Sequence, residues 1–479
     1  MTRTTGASPA TAAAWDALGG DPALLSRVSH LTRAGALPAR LPVRELAAAC
    51  VGACSLAAAE LAATRAGRDV GAVQVDDGAV ATAFTSERHL LIDGRAPVSF
   101  APLSRFWRTR DGWLRTHANY PHHRARLRAA LGTGADASVA DVAALLAERS
   151  AYEVEETVYA AGGLAVALRG PEQWAAHPQG AEVAARPLLT RERLDTAPPR
   201  DPRRPLRVLD LTRVIAGPVA TRTLALLGAD VLRVDAPQLP EDPDAHADTG
   251  FGKRSTRLDL GAGADRRVFD ELLSGADVVV TGYRPGALDR FGLAPETLAE
   301  RRPGLVVASL SAWGGYGPWG ERRGFDSLVQ VATGIAAIEG DAAEGDQPGA
   351  LPAQALDHGT GYLLAAAVLR SLTEQVAEGG SRVVRLALAQ TAHWLVHGVR
   401  PEPAATGEAP DPAARLAETD SPLGRLRYAL PPVSFDGGPA DWRRPPGCWG
   451  ADAPEWPTPA APAAPGEPEP PAARLPGHG

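Results

Sequence analysis

From Arg207 the chain alternates short apolar runs with helical ones. RVLDL (207–211) leads through a turn at Ala216-Gly217-Pro218 into a helical stretch, VATRTLALLGA, and then a second apolar run, DVLRVDA. The pairs VFDELLSGA then DVVVTGY, and ETLAERRP then LVVASLS, repeat the pattern. Strands alternating with helices at this spacing predict βαβ units and a parallel sheet. Such crossovers are right-handed in nearly all cases, and ligands sit at the carboxyl ends of the strands.

The obvious ligand for such a sheet is a nucleotide, and the sequence argues against it. After RVLDL it reads TRVIAGPVATR, with neither G-x-G-x-x-G nor G-x-x-x-x-G-K-[ST]. No HEXXH motif, metal-type cysteine spacing or G-x-S-x-G elbow is present, so no metal site is expected. His117, His122 and His123, beside Asn119 and Tyr120, read as a surface turn next to a helix start. With 49 basic and 56 acidic residues the net charge is −7, which suits no general nucleic-acid binder. Three cysteines make no disulfide framework and fit a reducing cytoplasm. Cys50 and Cys54 read as small buried residues of an Ala-rich helix. No run approaches the ~18 uninterrupted apolar residues of a membrane helix, so no membrane partner is expected.

The rest of the chain divides by composition. Residues 1–84 hold an Ala/Gly/Pro-rich, weakly patterned start and a helix from Val43 to about Arg65. Residues 85–190 suggest a small α/β unit: a hairpin RFWRTR–Asp111-Gly112–WLRTHA, then helices over 139–150 and 151–162. Residues 191–206, rich in proline and arginine, read as a linker. A large domain follows over 207–400, then a connection and closing segment over 401–452. Residues 453–479, dense in proline, are expected to be disordered. An internal repeat joins 55–84 to 363–395 as helix, glycine turn, strand and helix. Anchoring Ala57–Ala59 on Ala365–Ala367 places Ala49 opposite Asp357.

Five strings stand out: RVLDLTRVIAGPVATRTLALLGADVLRVDAP (207–237), GKRSTRLDL (252–260), ADVVVTGYRPGALDRFGL (276–293), SAWGGYGPWGERRGFDSLVQVATGIA (311–336) and ALDHGTGYLLAAAVLRSL (355–372). In order and spacing they resemble the class III CoA-transferase family of the CaiB/BaiF type. The resemblance implies an α/β fold with a Rossmann-like, parallel-sheet large domain, a smaller α/β domain and an interlocked homodimer. It implies an enzyme that moves CoA between a CoA thioester and a carboxylic acid, with CoA as substrate and no permanently bound cofactor. The family's nucleophile is an aspartate, here Asp357. It attacks the acyl carbonyl to give a mixed anhydride, and CoA thiolate then gives an aspartyl thioester.

The residue chemistry agrees. A carboxylate is ionised at neutral pH and needs no neighbouring base. Gly359 and Gly361 leave room for close approach, and N–H groups of the following helix are candidate oxyanion donors. The plainer reading makes Asp357 an N-cap for a helix beginning near Gly361. The resemblance further implies ligand contact for Gly217 and Pro218. Lys253, the chain's one lysine, and Arg284, Arg290 and Arg323 take basic positions that meet CoA phosphates. Ile215 stands where some transferases have Gln. Phe325 stands where the family's racemases have His, and phenylalanine transfers no proton. Asp326 is then structural. Two alternatives stay open: an acyl-CoA racemase or epimerase, and an inactive CoA-binding scaffold. The small-domain resemblance precedes the large domain, so the order looks permuted or like a truncated fusion whose first copy lacks its βα units.

Overall fold

The computed structural model describes residues 2–98, 100–340, 347–403 and 409–457. Its largest sheet joins seven strands in the spatial order Arg254–Arg257, Asp230–Asp235, Arg207–Leu211, Val278–Thr281, Val306–Ser311, Arg382–Ala387 and Leu189–Arg193. The first six are parallel and the last is antiparallel. Counted along the chain, the parallel strands run 3-2-1-4-5-6. The direction of succession reverses between Arg207–Leu211 and Val278–Thr281, the kind of switch point beside which open α/β sheets form ligand crevices at the carboxyl ends.

These segments are strands because both faces are covered, which demands continuous apolar runs. Val208, Val278, Val280, Val306 and Ala308 face one core with the helices Ala216–Leu226 and Ala355–Glu378. Leu209, Val279 and Val307 face the other, against Phe269, Leu272 and Leu273 of the Gly263–Gly275 helix. Residues one apart go to opposite faces, as the pleat requires.

The N-terminal segment carries more structure than its sequence promised. Val28–Thr32 pairs in parallel with Val73–Asp76, and the 24-residue helix Val43–Ala66 crosses between them. The first copy therefore keeps one βαβ unit, contrary to the expectation that it has none. The equivalent stretch of the large domain is Val306–Ser311, the 24-residue helix Ala355–Glu378 and Arg382–Ala387. The two long helices pack directly on each other. Val43–Ala66 is also long and apolar enough to cross a bilayer by length and composition, correcting the sequence estimate, and 89% of its most apolar window is buried inside the chain.

The small unit is a three-stranded antiparallel sheet of Phe106–Thr109, Gly112–Thr116 and Ala165–Ala167, backed by Pro121–Leu131, Val139–Ala147 and Ala151–Ala160. The expected limits at 85 and 190 shift. Leu91–Ile92 pairs with Gly424–Ala429 of the closing segment. Leu189–Arg193, split across the expected linker boundary, completes the large sheet. Residues 458–479 lie outside the described residues. At 453–457 the chain still packs, with Trp456 Nε1 donating to Leu272 O at 2.8 Å.

Candidate active site

Asp357 lies in the first turn of Ala355–Glu378 and is buried. The helix starts at Ala355, six residues before the expected Gly361, so Asp357 is inside it and not its cap. The capping role falls to Asp326. Its Oδ2 accepts the N–H groups of Leu356 and Asp357, both at 2.9 Å, while Gln330 holds Oδ1. Asp326 is thus structural, as expected, and it fixes the turn that presents Asp357.

Electrostatics around Asp357 run against the assumption of a free carboxylate. Burial, then the charges of Asp326 and Glu87, push its carboxyl well above the usual range. Burial also raises Asp326, held back by the N–H of Asp357 and by Gln330. With three donors to its carboxylate, Asp326 ionises first and Asp357 later. Among the described residues no hydrogen-bond donor reaches the Asp357 carboxyl.

The glycines serve helix packing. A Cβ on Gly361 would lie 2.5 Å from Ala216 O, and one on Gly359 would meet Cys50 Sγ at 3.4 Å. They let the Asp357 helix approach Ala216–Leu226 and Val43–Ala66, which corrects their assignment to substrate approach. Gly217 likewise sits against Thr212, 2.3 Å from where its Cβ would fall.

Lys253 is the clearest correction. Its ammonium is buried and donates to Asp210 Oδ2 at 3.0 Å, Pro218 O at 3.0 Å and Thr221 Oγ1 at 2.6 Å. Burial pushes it down to about 8 despite Asp210. It holds the Gly217-Pro218 turn from below and faces no phosphate. The residue before that turn's cap, Val214, has φ of 72°, a region β-branched side chains rarely enter. Its N–H donates to Glu241 Oε2 at 3.3 Å.

Arg284 and Arg323 come together in a cleft of about 350 Å³, walled by Glu156, Tyr159, Gly162 and Gly163 of the small unit. Burial and the nearby charges of Arg284 and Arg126 push the Arg323 guanidinium down, the mark of crowded cations. Arg284 also borders a larger cleft of about 620 Å³ beside Tyr283, Ser309, Ser311 and Arg385, at the carboxyl ends of the central strands. Arg290 is exposed, over the ring of Phe291, and lines neither cleft.

His117 and His123 are buried, not on a surface turn. His117 stacks on Phe325 with ring centroids 3.7 Å apart. Nearby, Tyr120 donates to Glu241 at 2.7 Å, tying the small unit to the large one. Glu241, pushed up by burial but more strongly down by Arg233, Arg213 and Tyr120, falls to about 2. Sequence reasoning missed Glu241, Arg126 and Glu87, whose partners lie far away in the chain. His358 stood in LDHGTG, beside Asp357, and was passed over.

Residues 204–429 match CoA-transferase family III. The resemblance read from the five strings is borne out. The chain is 36% identical over 208 residues to an acetyl-coenzyme A transferase of Hypoxylon pulicicidum, covering 42% of this chain and 35% of that protein. It is 35% identical over 218 residues to a probable fatty acyl-CoA transferase of Mycobacterium tuberculosis, covering 41% and 54%. Among solved structures, a CaiB/BaiF family protein from Brucella suis is 26% identical, with a TM-score of 0.36 over 46% of this chain and 64% of that one. The chain spans about a third to a half of the length of these curated relatives. The family III match begins at the Pro-rich stretch before RVLDL and ends with the Gly424–Ala429 strand, so Glu87 and the small unit lie outside it.

Proposed function

We propose that the chain is a CoA-transferase acting between an acyl-CoA thioester and a carboxylic acid through Asp357. The observation that carries this is a buried carboxyl with no hydrogen-bond donor among the described residues, held in place through its own backbone by Asp326. Once ionised it is a poorly solvated anion, and so a competent nucleophile. It attacks the acyl carbonyl and CoA thiolate leaves; the thiolate then attacks the Asp357 carbonyl and releases the first acid. The second acid repeats both steps in reverse and restores the Asp357 carboxylate. Arg284 and Arg323, with Arg126, form the cationic rim that would hold CoA phosphates. Lys253 has no part in that contact.

The sheet order reads as Rossmann-like, and the small unit's place ahead of the large domain reads as a rearranged order. A cytoplasmic homodimer completes the proposal. Phe325 packed on His117 disfavours the racemase alternative, since burial drives His117 down to about 3 and keeps it neutral. The deciding test incubates the protein with acetyl-, succinyl- and formyl-CoA and traps with hydroxylamine. An adduct on Asp357 that Asp357→Ala lacks is expected. Exchange of the α-proton without an adduct would instead indicate a racemase, and CoA binding with neither a scaffold.

A further inference from the structure

The strand Gly112–Thr116 turns Leu114 into the small unit's own core. The pleat sends alternate residues the other way, so Trp113, Arg115 and, just past the strand, His117 share the opposite face. That face meets the large domain. Val166, the cross-strand neighbour of Arg115, belongs to the main core, and His117 stacks on Phe325 with ring centroids 3.7 Å apart. Each of the three residues carries a buried nitrogen with no hydrogen-bond partner among the described residues: Trp113 Nε1, Arg115 Nε and His117 Nδ1. Buried polar atoms are almost always paired, and a charge set away from water needs a partner still more.

Arg115 is the sharpest case. Its guanidinium carbon lies 4.7 Å from the ring centre of Phe106 and 5.4 Å from that of Phe100. No carboxylate pairs with it among the described residues. Burial pushes it down to about 10, and the charge of Asp326 offsets part of that. Arg169 of the same unit shows the alternative, a fork closed on Glu155 by bonds of 2.7 and 2.8 Å. A guanidinium packed on aromatic rings still presents the N–H groups of its edge, and that fork matches a carboxylate.

We propose that this strand face is a carboxylate-binding site, with the Arg115 guanidinium as its anchor and Trp113 and His117 beside it, and that its ligand is the far carboxylate of a dicarboxylic acid. The choice of acid rests on the transferase reading above. A reacting carboxylate must reach Asp357. The path from Arg115 to that residue runs through His117, Phe325 and Asp326, the last of which accepts the Asp357 N–H at 2.9 Å. An acid that occupies Arg115 therefore reacts through a second carboxyl. Trp113, Arg115 and His117 all precede the segment that matches the family, so this choice of substrate belongs to the N-terminal part of this chain.

The test titrates succinate, and butyrate as its four-carbon analogue with one carboxylate, into wild type, Arg115→Lys and Arg115→Met by calorimetry. Wild type should bind succinate roughly ten- to a hundredfold more tightly than butyrate, the usual gain from a charge-assisted pair. Arg115→Met should lose that preference, and Arg115→Lys, which keeps the charge without the fork, should retain part of it. Equal affinity for the two acids in wild type overturns the proposal, as does a preference that survives in Arg115→Met. Thermal unfolding separates a binding arginine from a structural one. Without ligand Arg115→Met should be as stable as wild type, and succinate should raise the midpoint of wild type and not of Arg115→Met. A destabilised or unfolded Arg115→Met makes Arg115 a structural cation and overturns the site. Hydroxylamine trapping keeps the two readings apart. A succinate preference with no Asp357 adduct from any CoA thioester keeps the site and sinks the transferase reading, and an adduct with no such preference does the reverse.

Discussion

Lys253→Met tests whether the chain's one lysine is structural. The side chains of Lys253 and Asp210 are essentially inaccessible, at 2% and 0% exposed. Methionine fills the lysine's volume but removes three hydrogen bonds, to Asp210, Pro218 O and Thr221. Asp210 keeps Thr212 and Thr221 as donors, yet its charge loses the one cation paired directly with it among the described residues. Removing one partner of a buried ion pair costs about 3–5 kcal/mol. Guanidinium unfolding followed by tryptophan fluorescence should show that loss as a lowered midpoint with little change in slope. Removing both charges, as in Lys253→Met with Asp210→Asn, should recover most of it, because no unpaired charge is left behind. Affinity for CoA per folded molecule should hold in both variants. A stability change below about 1 kcal/mol, together with weakened CoA binding, would refute the buried-anchor argument and restore Lys253 as a phosphate contact.

Gly361→Ala should destabilise by about 1–3 kcal/mol in thermal unfolding, since its Cβ would lie 2.5 Å from Ala216 O and the two helices must part. Tyr120→Phe strips a hydrogen bond from the buried Glu241 carboxylate and should cost about 1.5–3 kcal/mol by the same measurement. His117 is held neutral, at about 3 folded against 6.5 unfolded, so the unfolded chain gains a proton that the native one does not. Its contribution is complete above pH 6.5 and declines as the pH falls through that window towards 3. A flatter stability profile in that window for His117→Asn than for wild type, measured by urea unfolding, is the expected result. Asp326→Asn should move the pH profile of Asp357 trapping towards acid, because the charge of Asp326 is one of those that hold the Asp357 proton on.

Much of the site was legible because its signals are local. LDHGTG marked Asp357, and RVLDL, DVVVTGY and LVVASLS marked strands by unbroken apolar runs. The hairpin at Asp111-Gly112 and the helix from Val43 came from turn chemistry and composition. The missed βαβ unit of residues 28–76 has a different character. VSHLT is short and partly polar, and pairing with Thr2–Thr5 on one side and Val73–Asp76 on the other makes it a strand. The histidine cluster looked exposed because it is polar in sequence, whereas the small unit closes over it and presses His117 on Phe325.

The sequence by itself determined which segments could be strands of a covered parallel sheet, which family they resemble and which aspartate is the candidate nucleophile. These depend on periodicity and on motifs whose residues are neighbours in the chain. Only the tertiary structure decided what each charge faces. It turned Lys253 inward onto Asp210, gathered Arg284 and Arg323 at one rim, and brought Glu87 to His358. Burial and long-range juxtaposition set those outcomes, and a side chain's type says nothing about which distant element will close over it. The free energy of a buried charge depends on that closure far more than on its neighbours in sequence.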